Sequence, residues 1–81
     1  MKWLIIEELQ PPEDLSYKPK TKRWAVYTKD YMQDLGTIKW HNSWRKYAFF
    51  PFSNTLFEQD CLRDISNFIE EQTKLHRREV T

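Results

Sequence analysis

The chain is short of several things at once. Its 81 residues include one glycine and one cysteine. A single cysteine forms no disulfide within the chain, so a disulfide-stapled scaffold is excluded and the composition suits a reducing compartment. A single glycine leaves no glycine-rich loop to cradle phosphates. His41, His76 and Cys61 are not spaced as zinc ligands, so neither a metal nor a cofactor is expected. Long apolar runs are missing too. Met1–Ile6 is interrupted at once by Glu7 and Glu8, too soon for a signal segment. No stretch approaches the roughly 20 residues that span a bilayer. These absences point to a cytoplasmic protein without a membrane segment.

Aromatic side chains are abundant instead, at 16% of the chain, with four tryptophans among them. A chain of this length makes one domain and buries only part of its surface, so a core of large rings compensates for small size. The densest stretch is LGTIKWHNSWRKYAFFPF, Leu35 to Phe52, where two tryptophans, one tyrosine and three phenylalanines alternate with Lys39, Arg45 and Lys46. Charge is segregated although the total is only +1. Residues 1–15 set Lys2 against four acids, a net −3; residues 16–47 set eight cations against two acids, a net +6; residues 48–81 set four cations against six acids, a net −2. A basic middle between acidic flanks marks either a polyanion-binding patch or a sheet neutralised by its own helix.

Secondary structure follows from periodicity. Lys2–Leu9 reads as a strand or arm, and the three prolines between Gln10 and Lys20 make a loop, so residues 1–21 form an N-terminal arm and proline-rich loop. Lys22–Lys29, Leu35–His41 and Arg45–Phe50 alternate and carry strand formers, giving a sheet over 22–52. Asp30–Asp34 is a turn with exposed rings, and Tyr17, Tyr31, Met32 and Phe52 fall in loops. Gly36, inside a strand, signals a bulge or a close backbone approach. Beyond Thr55 the period changes: Phe57, Cys61, Ile65, Phe68, Ile69, Gln72 and Leu75, with Leu62 beside them, fall on one face of a helix over 55–78. Thr55 and Glu58 match a capping box, with a start three residues later as the alternative. Strands followed by one helix predict an α+β domain: a three- or four-stranded antiparallel sheet with a C-terminal amphipathic helix packed on one face.

The hairpin around His41–Trp44 decides which rings are buried. An even loop pairs Trp40 with Arg45, Ile38 with Tyr47 and Gly36 with Phe49. One face then carries Gly36, Ile38, Trp40, Arg45, Tyr47 and Phe49; the other carries Thr37, Lys39, His41, Trp44, Lys46, Ala48 and Phe50. An odd loop would bury lysine, so the even register is favoured. The expected core is Trp24, Val26, Ile38, Tyr47 and Phe49 beneath the helix. Trp40 beside Arg45 suggests a cation–π contact, and both histidines read as solvated.

The face left exposed would present Arg23, Tyr27, Lys29, Lys39, Trp44 and Lys46. Cations track phosphates and rings stack on bases, so this is a candidate surface for single-stranded nucleic acid. The same rings and Arg23 suit a protein partner, as an inhibitor or modulator would use them. No catalytic grouping stands out: Cys61 lies on the apolar stripe, Asp60 and Asp64 read as a solvated helix face, and a non-enzymatic binding protein is expected. The acidic polar face of the helix, with Asp60, Asp64, Glu70 and Glu71, does not suit a membrane surface.

The run Leu35–Pro51, followed by Cys61, Leu62, Ile65, Phe68 and Ile69, resembles a group of short uncharacterised proteins of tailed phages and prophages. They share a hairpin motif, L-G-x-I-x-W-x-x-x-W-R-x-Y-x-F-x-P, and then C-L-x-x-I-x-x-F-I. The likeness covers Leu35 to Ile69 and leaves the chain before Lys22 outside it. It implies a phage accessory protein at work in the bacterial host cytoplasm, on nucleic acid, a host enzyme or a defence system. It brings no activity with it.

Overall fold

Four stretches of β-branched and aromatic residues, separated by turns, give four strands, and the three-and-four periodicity beyond them gives one helix. In the computed structural model, residues 3–10, 21–30 and 33–80 are described. The strands are β1 (Leu4–Leu9), β2 (Arg23–Thr28), β3 (Asp34–His41) and β4 (Lys46–Pro51), and the helix is α1 (Gln59–Val80). They form one antiparallel sheet in the order β1-β2-β3-β4 with α1 against one face. This is the expected α+β architecture, with the four-strand option realised. The proline-rich loop and the loop residues Tyr17, Tyr31 and Met32 lie outside the described residues.

Alternation sorts the sheet into an inner and an outer face. Leu4, Trp24, Val26, Leu35, Ile38 and Tyr47 are buried with Ile65 of α1, and Trp40, Phe49, Phe57, Cys61, Phe68 and Ile69 pack around them. Four of the five sheet residues expected in the core are buried there and the fifth, Phe49, is at its half-buried margin, while Leu4 and Leu35 join them unforeseen. Aromatic edges meet faces inside it. Trp24 makes T-shaped contacts with Tyr47 and Phe68, and Phe49 with Phe57. On α1, Leu62 and Leu75 depart from the expected stripe and are exposed, whereas Thr73 is buried.

The hairpin register differs from expectation by two residues and keeps its parity. Trp40 pairs with Tyr47, Ile38 with Phe49 and His41 with Lys46. The four-residue turn is Asn42–Arg45, closed by the Arg45 N–H donating to the His41 carbonyl at 2.9 Å. Arg45 is thus a turn residue with φ 52°, in the left-handed region, and not a strand residue facing the core. Packing of Trp40 on Tyr47 and His76 takes the place of the expected cation–π contact with Arg45, because the shift moves the arginine past the end of the ladder.

Gly36 fulfils both readings made of it. A Cβ there would lie 2.5 Å from the Phe50 carbonyl oxygen and 2.7 Å from the Phe49 ring. Opposite, the ladder steps from Val26–Gly36 to Tyr27–Asp34, so Leu35 is an extra residue. This bulge lets Leu35 as well as Gly36 turn inward, which strict alternation forbids.

The helix begins at Gln59, the later of the two starts weighed, with Glu58 as its cap. The Leu62 N–H donates to the Glu58 carbonyl, and the Glu58 carboxylate accepts the Cys61 N–H at 2.7 Å. Thr55 is not the cap; its hydroxyl donates to the Phe52 carbonyl. Of the strands, α1 lies chiefly against β4. There Thr73 Oγ1 accepts the Tyr47 N–H at 3.2 Å, so the helix satisfies an outward-facing donor of an edge strand.

Candidate nucleic-acid interface

The outer face is the one the helix does not cover, and its rows follow from the pairing. Glu7, Ala25, Thr37 and Phe50 lie side by side across the four strands. Beside that row Leu9 pairs with Arg23 and Lys39 with Ala48, and Arg23 and Lys39 each adjoin the Trp24–Ile38 pair. His41 and Lys46 pair beyond them, at the hairpin end. Two cations on adjacent strands repel, so Arg23 and Lys39 occupy a position that an anion between them would relieve.

Rings stand beside these cations. Trp44 stacks on His41 with centroids 4.2 Å apart and planes 17° from parallel. His41 in turn faces Phe50 at 6.2 Å and 9°. The Lys39 ammonium sits 4.6 Å from the Phe50 centroid. The result is a column of three near-parallel rings, flanked by lysine and ending at Trp44, which is 62% exposed. The expectation that His41 is solvated is corrected by this stacking: the imidazole is half-buried, and its Nδ1 is enclosed with no hydrogen-bond partner among the described residues. His76 is likewise half-buried, against Trp40 and Tyr47, because α1 carries it over the core.

The six residues singled out from the sequence do not form one cluster. Arg23, Lys39, Trp44 and Lys46 gather at the hairpin end. Lys46 stands on the edge strand and also borders a groove of about 590 Å³ between β4 and α1, with Lys74 and Arg77. Tyr27 is half-buried at the opposite end, level with Ile5 and Asp34. At about 3.3 Å per residue, it is roughly 20 Å from Trp44. Lys29 follows β2, donates its N–H to the Trp3 carbonyl, and borders a cleft of about 930 Å³ on the far side of the sheet end. The sequence reading did not single out His41 and Phe50; their place on the lysine face, two residues after Lys39 and four after Lys46, was the available signal.

Among titratable groups, the Asp60 and Cys61 N–H groups hold the Glu58 carboxyl below the ordinary glutamate range. Burial pushes the Cys61 thiol up, and the neighbouring Glu58 adds to this, so the sulfur stays protonated and weakly nucleophilic. Among the described residues no cluster of metal-ligating side chains occurs, and no helix is long and apolar enough to cross a membrane.

No family model matches the chain, and no solved structure does. Among curated proteins it is similar to the "Uncharacterized 9.3 kDa protein" of Acholeplasma phage L2, 36% identical over 52 residues, which cover 64% of this chain and 67% of the relative. A small phage protein thus stands beside the phage likeness drawn from the residues. Identity at that level over two thirds of the relative means that this chain belongs to the same family as the phage L2 protein.

Proposed function

We propose that this is a phage-encoded accessory protein of the bacterial cytoplasm that binds single-stranded nucleic acid on the outer face of its sheet, without catalysis. The hairpin motif Leu35–Pro51 then marks its group, because it encodes both the core layer and the binding layer. The observation that carries the reading is the column Trp44–His41–Phe50 with its flanking cations. A prestacked column ending in an exposed indole offers one more plate to a base, at little cost in side-chain ordering. Arg23, Lys39 and Lys46 supply the charge that a phosphate backbone passing the column requires. Tyr27 and Lys29 lie too far along the sheet to join the same base-stacking step and would at most meet the strand further on.

The test is titration of a fluorescein-labelled mixed-sequence oligonucleotide at low and high salt, followed by anisotropy. Wild type is expected to bind with a strong salt dependence, and Trp44→Ala to bind about tenfold more weakly or worse, as loss of one stacked base implies. Absence of binding at low salt, or equal binding by Trp44→Ala, defeats the reading. Capture of a host protein that survives nuclease and high salt would establish the alternative, an inhibitor or modulator acting through the same exposed rings.

A further inference from the structure

The two edges of the sheet are treated differently. β4 has α1 alongside it and Thr73 on its outward N–H. β1 has no described element on its outer side. The Lys29 N–H bonded to the Trp3 carbonyl fixes the phase of the β1–β2 ladder. Trp3, Ile5, Glu7 and Leu9 therefore exchange hydrogen bonds with β2, and Leu4, Ile6 and Glu8 turn their N–H and C=O groups outward. Among the described residues nothing meets those groups. Proline, lysine and a bulge, three of the usual guards of an edge, are missing from Leu4–Leu9, which carries charge only at Glu7 and Glu8.

We propose that this edge pairs antiparallel with the same edge of a second copy of the chain, centred on Ile6. Only outward-facing residues can form the bonded pairs, so the register moves in steps of two. Centring on Ile6 sets Leu4 opposite the partner's Glu8 and Ile5 opposite the partner's Glu7, so no like charges face each other. Centring on Glu7 sets glutamate against glutamate, which is unfavourable. Centring on Ile5 shortens the pairing and leaves Leu9 with no described residue opposite it. The favoured register also explains two exposed apolar side chains. Trp3 is 49% and Leu9 36% exposed, six residues apart on the same face, and pairing about Ile6 lays each on the other across the two-fold axis. Both helices then lie on one side of an eight-stranded sheet, and the two outer faces become continuous.

One strand pair is a small contact, so a reversible dimer is expected. Sedimentation velocity over a wide concentration series should show the mass doubling. Glu8→Pro removes an outward N–H that no bond among the described residues uses, and should weaken association about tenfold while leaving far-UV circular dichroism unchanged. Leu9→Asp gives a second weakened variant should proline disturb the strand. The register is read by Trp3→Cys/Leu9→Cys in a Cys61→Ser background. Within one chain those sites are roughly 20 Å apart, beyond disulfide reach, whereas across the pair they adjoin, so oxidation should give a covalent dimer. A monomer throughout the series overturns the proposal. So does a dimer that folded Glu8→Pro or Leu9→Asp leaves unweakened, or one that the cysteine pair fails to lock.

Discussion

The two faces of this sheet share every strand and differ in what stops their side chains moving. On the inner face, Ile38 and Val26 are completely buried and rings meet edge to face beneath α1. On the outer face, the neighbours Lys39 and Ala25 lie over no second layer, and the rings stack on one another instead. Apolar area leaves water on the first face and serves stability. On the second, a similar investment in aromatics leaves an indole in solvent, where it contributes little to folding and is available to a ligand.

Substitutions one residue apart break the comparison most sharply. Ile38→Ala should cost about 4 kcal/mol, a large part of the roughly 4–12 kcal/mol expected for a chain of this size. Lys39→Ala should stay within about 0.5 kcal/mol. Urea unfolding followed by circular dichroism measures both, and similar midpoints for the two variants would erase the division between faces. A smaller effect tests how the helix closes the inner layer. Thr73→Val strands the Tyr47 N–H and should cost about 2 kcal/mol, with Thr73→Ser restoring most of it. The smallest effect concerns the start of that helix. Because the folded state holds the Glu58 carboxyl low, its contribution is complete above the ordinary glutamate value of about 4.3 and is lost as pH falls through the lowered one. The melting temperature of wild type should therefore exceed that of Glu58→Gln at pH 6, and the gap should close towards pH 2.

The parity of the hairpin was legible because burying lysine is costly, and that alone assigned Ile38 inward and Lys39 outward. The pairing itself was not. Nothing in the string HNSWRK announces that Arg45 will adopt φ 52° and take the place in the turn that glycine or asparagine usually holds. The inward turn of Leu35 depends on a bulge that needs the partner strand to be seen. Thr73 was missed because a threonine among Gln72, Lys74 and Glu71 looks like a solvated face, until the free edge of β4 supplies it a donor. The grouping of the candidate site failed in part for the same reason. Alternation tells which face a residue takes, but only the register tells how far along the sheet it lies, and that separates Tyr27 and Lys29 from the Trp44 end.

Tyr47 carries a consequence for the order of assembly. Its main-chain N–H is held by Thr73, 26 residues away, and its phenol oxygen accepts the Lys22 N–H at 3.1 Å from 25 residues in the other direction. Neither bond can close before a loop of that length has closed, whereas the β3–β4 hairpin and the turns of α1 nucleate locally. The tyrosine therefore acts as a keystone set after the hairpin and helix have formed. The rate of its seating, more than the formation of either element, would govern how quickly the chain becomes native.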